Sequence, residues 1–404
     1  MNKLFLICLL TVSSINVFAQ KIELSLVDVI AQAKNQSPSA KAAETRKKNF
    51  YWQYRSFRSN YNPSLNLAGN LPGYNRIYQS VEQNDGTYQF ISIGQLSSAL
   101  NLGLFQPIAP TGGEISINSS LNQFNNLNAE TGEVNPLYNS TLFNIQLVQP
   151  IFGFNDLKWD KKTEPLRYEE SKRSYVEEME AISAEATRRF FDYLDAQINL
   201  QIAQFNLANN DTIYNIEQGR YNIGTTSKDK LLQVELQLLR SKQDVAQANL
   251  DLQTSKLALR RFIGLQDSNL ETLKLILPDT LPIFPIPVDE ALLYAKQNRA
   301  DYVEFERRRA EANRDVAQAK AQRVQTNLIA SFGLNNAAGQ LPDTYVDPNS
   351  QQRVNVTLSV PILDWGRSKS RVQTALANQE LTQYTLTQEI QNFEQEIITL
   401  VSRF

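Results

Sequence analysis

Residues 227–263 read SKDKLLQVELQLLRSKQDVAQANLDLQTSKLALRRFI, a run with no glycine and no proline. Within it Leu231, Leu238, Val245, Leu252 and Leu259 recur every seven residues, a coiled-coil interval. A second apolar set, Leu232, Leu239 and Ala246 with Leu236, Leu250 and Leu257, lies about 120° further round the same helix at about 100° per residue. Between the sets are two polar faces, one with Glu235, Lys242, Asn249 and Lys256, the other with Gln233, Arg240, Asp244, Gln247 and Asp251. A helix that buries one face against a globular core shows one apolar arc, whereas two seams call for two lateral neighbours, as in the wall of a hollow cylinder. Periodicity alone also admits an antiparallel bundle with a broad seam.

The segment before this run repeats the pattern. From about Trp159 to Gln218 the chain has one proline, Pro165, and no glycine, which predicts a helix of about 55 residues and roughly 80 Å. Met179, Ala186, Tyr193, Leu200, Leu207 and Tyr214 form one stripe, and Ala184, Phe191, Ile198 and Phe205 the other. Gly219 and Gly224 mark the break between the two helices. Elsewhere the period is two. Val354, Val356, Leu358, Val360 and Ile362 alternate with Asn355, Thr357 and Ser359, and similar alternation occurs around Leu65–Leu67, Phe143–Leu147 and Leu328–Leu334. These lengths suit strands of about 9–11 residues that cross an outer membrane, but an ordinary β-sandwich gives the same pattern.

Composition narrows the function. The chain has 404 residues, 40 Lys+Arg against 42 Asp+Glu, no histidine and one cysteine, Cys8. Near-balanced charge gives no nucleic-acid footprint. Without histidine there is no imidazole for acid/base catalysis or metal ligation, and no phosphate-binding Gly-x-x-x-x-Gly-Lys-Ser/Thr loop occurs. No catalytic, cofactor-binding or metal-ligating residue is assigned, and no cofactor is expected. Residues 1–19 read as a signal peptide: Lys3, the apolar run Leu4–Val12, then Val17-Phe18-Ala19 as the cleavage site, so that Gln20 begins the mature chain. No apolar run of about 18 residues follows, so the exported protein either stays soluble or crosses a membrane as a β-barrel.

The order of elements is duplicated. Asp28–Lys34 resembles Glu290–Lys296 at an offset of 262, Leu65–Leu71 resembles Leu328–Leu334, and Val148–Phe152 resembles Ser359–Leu363 at an offset of 211. Each half reads helix, strand, strand, long helix. The first half carries an extra strand pair at about 95–126, Ser98–Ile108 and Glu114–Phe124, joined by Pro110-Thr111-Gly112-Gly113. The expected organisation is a first repeat at 20–265 with a helical hairpin at 159–264, a linker at 266–285 and a second repeat at 286–404.

These features together resemble the TolC family of outer-membrane export channels. The residues that carry the resemblance are Leu24–Ile30 with Ser37-Pro38, the strand ends Val148–Phe152 and Val360–Gly366, and the turn Arg220-Tyr221-Asn222-Ile223-Gly224 followed by Ser227. The resemblance implies an α+β membrane protein, mainly α, in which long antiparallel helices form a periplasmic α-barrel and strands of a homotrimer share one outer-membrane β-barrel. It further implies a passive duct for small molecules or polypeptides, contacting outer-membrane lipid, a periplasmic adaptor and an inner-membrane RND or ABC transporter. Arg220, Tyr221, Asn222, Gly224, Ser227 and Lys230 become the candidate tip that meets the adaptor, with Gly224 at positive φ and Tyr221 under the turn; a tight helix connection is the equal alternative. Relatives often carry an acidic residue six positions after this glycine, where this chain has Lys230 beside Asp229. At offset 211 Phe404 falls opposite Tyr193, so about 71 residues of a second hairpin, including any gate, are expected beyond this sequence.

Two rivals remain at this point. A periplasmic adaptor or structural coiled-coil protein of the envelope shares a long hairpin but not two matching halves. A hydrolase would have to use acidic pairs such as Glu169-Glu170 and Glu177-Glu178, which read instead as solvated helix faces.

Overall fold

A computed structural model describes residues 22–83, 85–127, 134–265, 273–278 and 284–403. The signal peptide expected at 1–19 with Cys8, the expected mature start Gln20, part of the 266–285 segment and Phe404 lie outside the described residues. The order is β1 (Ile22–Leu24), α1 (Leu26–Gln36), α2 (Pro38–Ser59), β2 (Ser64–Glu82), β3 (Tyr88–Ile108), β4 (Gly113–Leu127), β5 (Val134–Phe152), α3 (Asp156–Asn222), α4 (Lys228–Phe262), β6 (Leu273–Leu275), α5 (Val288–Asn298), α6 (Ala300–Ala321), β7 (Gln325–Ala338), β8 (Asn349–Ser359) and α7 (Arg367–Arg403). The duplication is visible in the lengths: α1 and α5 each have 11 residues, α2 and α6 each 22. A capping box starts α1, where Ser25 Oγ accepts from Asp28 N and Asp28 Oδ2 accepts from Ser25 N at 3.0 Å.

The chain packs as two units. The first comprises the described residues within 1–48 and 174–285. Its core gathers Val29 and Ala33 of α1, Phe190 and Tyr193 of α3, and Leu259 and Ile263 at the end of α4. Here β1 pairs in parallel with β6, so the stretch expected as a plain linker contains a strand. Along the α3–α4 hairpin Ala186, Tyr193, Leu238 and Leu259 are buried, while the second stripe, Phe191, Ile198, Phe205, Leu239, Leu250 and Leu257, is exposed.

The second unit comprises residues 49–173 and 286–404. Helices α6 and α7 pack through Val303, Phe305, Val316, Leu386 and Phe393. Charged side chains tie its helices: Arg307 binds Glu170 at 2.5 Å and Glu311 at 2.9 Å, and Arg308 binds Glu389 at 2.5 Å. The hydrogen bond and charge of Glu170 raise the Arg307 guanidinium above its usual range, so it stays protonated. Glu170 and Glu169, expected on solvated faces, are thus ion-paired, Glu169 with Lys172 of its own helix.

The unit's sheet is a six-stranded antiparallel meander in the order β2-β3-β4-β5-β7-β8. The extra hairpin is β3–β4, inserted within the sheet between β2 and β5, and β3 begins at Tyr88, earlier than the expected 95. Strand β2 has 19 residues, because pairing with β3 carries it through Leu71-Pro72-Gly73 at an irregularity between Asn70 and Gly73. The alternation expected to reach Ile362 stops as strand at Ser359; Pro361, which has no N–H to donate, lies just beyond.

Candidate channel wall and helical tip

Residues opposite one another on neighbouring strands share a face of the sheet. One row, with a residue from every strand, runs Asn66, Gly103, Asn118, Asn144, Gly333 and Gln351. An adjacent row runs Leu65, Leu104, Ile117, Ile145 and Phe332 before ending on Gln352. The two faces of one sheet therefore differ in kind, polar on one side and apolar on the other.

The polar side is concave. Asn101, Asn118, Asn144, Gln146, Ser331 and Arg353 line a common hollow. Side chains converge on it, and two glycines relieve the crowding: a Cβ on Gly103 would stand 2.5 Å from Asn118 Oδ1, and one on Gly333 would stand 2.8 Å from the Phe143 carbonyl. The convex side exposes Leu65, Leu67, Leu102, Leu104, Ile117 and Ile145. A contiguous exposed apolar face of this size requires a nonaqueous neighbour, and apolar-out with polar-in is the pattern of a membrane barrel wall. Towards the β2–β3 turn the apolar face ends in exposed Tyr74, Tyr78, Tyr88 and Phe90, the aromatic type that sits at a membrane–water boundary. Bulges at Asn118/Ser120 and Thr141/Phe143 add local bend and twist.

The α3–α4 turn lies in the other unit. Gly224 has φ 74°, and no heavy atom would lie within 4 Å of an added Cβ, so glycine serves the backbone angle and not a close contact. Thr225 N donates to Arg220 O at 2.9 Å and Gly224 N to Tyr221 O at 2.9 Å, a Schellman closure that satisfies the last carbonyls of α3. Ser227 caps α4, its Oγ accepting from Lys230 N at 3.4 Å. Arg220 pairs with Glu217 at 2.8 Å, and Asn222 Oδ1 accepts from Gln218.

All six sequence-predicted tip residues are brought together on this turn and are exposed. Tyr221 is 39% exposed, so the turn does not seal it from solvent. Ile223, part of the turn motif but not among the six candidate contact residues, is 74% exposed. Its signal was its type, an isoleucine directly before the turn glycine with no seam to join. Among the described residues no group of three or more acidic or thiol side chains is placed to hold a metal, and no helix is long and apolar enough to cross a membrane.

Comparison with known proteins follows the same lines. Residues 109–265 match the family model described as outer membrane efflux protein. The structure is similar to that of CusC, at 17% identity over 94% of this chain and 75% of that chain, with a TM-score of 0.62. It is similar to the CmeC outer membrane channel of Campylobacter jejuni, at 15% identity over 91% of this chain and 68% of that chain, with a TM-score of 0.62. It is also similar to the outer membrane protein VceC of Vibrio cholerae, at 15% identity over 91% of this chain and 76% of that chain, with a TM-score of 0.58. At these identities the likeness shows the fold. No curated protein matches the sequence.

Proposed function

We propose that the chain is an outer-membrane channel extending into the periplasm, the passive duct of a tripartite efflux or type I secretion system, a reading supported by the match of residues 109–265 to the outer membrane efflux protein model and by the fold shared with solved outer-membrane channels. Three copies share one barrel, and a periplasmic adaptor and an energised inner-membrane transporter supply cargo and energy. The observation that carries this reading is the two-faced sheet, with its Asn, Gln, Gly and Ser concavity and its Leu, Ile and Phe convexity. A polar, water-filled lining passes varied cargo without chemistry, while the apolar side meets lipid.

The test is a deletion strain complemented with the full-length protein. A dye expelled by the partner transporter accumulates in the deletion strain and is cleared after complementation, with the protein recovered as a trimer from outer membranes. A soluble periplasmic monomer, with efflux unchanged by the deletion, overturns the reading.

The tip residues Arg220, Tyr221, Asn222, Gly224, Ser227 and Lys230 form, on this proposal, the adaptor contact, with Ile223 at its centre. A photo-crosslinking side chain at Ile223 captures the adaptor, and the same group at Asn118 in the wall does not. Equal capture from both positions sinks the assignment.

A further inference from the structure

The sheet ends in two free edges. All eleven residues of β8 are exposed, and the outer side of β2 is likewise unpaired. Unpaired edges of this length recruit other strands. The chain cannot resolve this alone, because an eight-stranded barrel is only just wide enough to be filled by side chains, and six strands with an Asn- and Gln-lined concavity leave still less room.

The duplication shows what covers the edges. Within one chain β5, the last strand of the first repeat, pairs with β7, the first strand of the second, with Leu147 opposite Ala330 and Gln149 opposite Leu328. By the same relation β8, the last strand of the second repeat, should meet a β2, the first strand of a first repeat. The strand–helix junctions record the difference. Phe154, after β5, is half-buried, whereas its repeat counterpart Trp365, after β8, is 90% exposed beside Ile362 at 98%. The exposed junction lacks the neighbour that the internal one has. Because the strand number is even, β2 and β8 run in opposite directions, so joining β8 of one copy to β2 of the next keeps every pair antiparallel.

We propose that the inserted β3–β4 hairpin is a full pair of barrel strands, and that copies close head to tail through β8 and β2 with Leu358 opposite Leu67 and Val360 opposite Leu65 of the next copy. The register follows from the β5–β7 pairing carried over by the repeat offsets of 211 and 263. It places Leu67 and Leu358 on the apolar face that each strand already presents. Resting on the trimer proposed above, three copies of six strands give eighteen. A barrel of that size encloses an open aqueous channel, so the exit is wide enough that it imposes little selection on cargo.

Cross-linking tests the closure in full-length protein in outer membranes, and the only cysteine of this sequence, Cys8, lies in the signal segment. Oxidised L67C/L358C shifts to dimer and trimer masses on denaturing gels, while L67C/V354C, displaced by four residues, stays predominantly monomeric. A maximum at the displaced register, or a bond formed only within one chain, overturns the register. A native mass other than three copies overturns the trimer itself. The hairpin is tested separately by single cysteines. A water-soluble maleimide labels N101C and N118C but not L102C or I117C. Labelling of all four in a protein that still forms the cross-linked trimer places the hairpin outside the membrane and removes the eighteen-stranded barrel, leaving the trimeric duct standing.

Discussion

Along α4 two apolar seams share one spacing and one residue type and have opposite fates. Leu238 is buried, and Leu259 completely so, in the core with Val29, Phe190, Tyr193 and Ile263 that Leu238 does not join. Leu239, Leu250 and Leu257, a third of a turn away, are exposed. The sheet shows the same contrast, since β5 is paired on both edges, with β4 and β7, whereas β8 is paired with β7 alone and its outer edge is free. Periodicity states that a surface must be covered; chain connectivity decides whether this chain covers it. What it leaves open, a second copy or a longer chain has to fill.

The sharpest way to break the comparison is to damage each seam in turn. Leu259→Ala removes a fully buried side chain, and about 2–5 kcal/mol of stability should go with it. Thermal melting of purified protein and its yield in membranes should both fall. Leu250→Asp with Leu257→Asp, on the exposed seam, should leave far-UV circular dichroism unchanged and abolish the heat-sensitive trimer on gels. If the trimer survives, that seam has no neighbour in the assembly.

Smaller changes at the turn sharpen the contrast, because they touch neither seam. Gly224→Ala forces a β-carbon into a left-handed backbone and should cost about 1–2 kcal/mol, seen as faster amide exchange around the turn with trimer yield retained. Ser227→Ala removes the α4 cap and should cost about 1 kcal/mol, with faster exchange confined to the first turn of that helix. Trimer loss in either variant would show that the turn, and not the seams, holds the copies together.

How much was legible differs from residue to residue. The seams, the Gly224 angle and the Ser227 cap follow from local rules, because each depends on neighbours within a few residues. The pairing of Glu170 with Arg307 does not, since the two are 137 positions apart and an acidic pair on a long helix looks solvated until another helix packs beside it. Strand β2 was underestimated because Leu71-Pro72-Gly73 is a local stop signal, which the ladder with β3 overrides at a bulge. The polar row from Asn66 to Gln351 draws one residue from each of six strands, and only the registers align them.

The sequence by itself determined the two alternations, period seven on the long helices and period two on the strands, together with the repeat and the absence of histidine chemistry. Those are properties of side-chain order along one chain. Only the tertiary structure decided that β3–β4 stands inside the sheet, that the polar face is the concave one, and which seam and which edge remain open. Each of these depends on which distant segments meet, and a pattern that says a face must be buried carries no information about the partner that buries it.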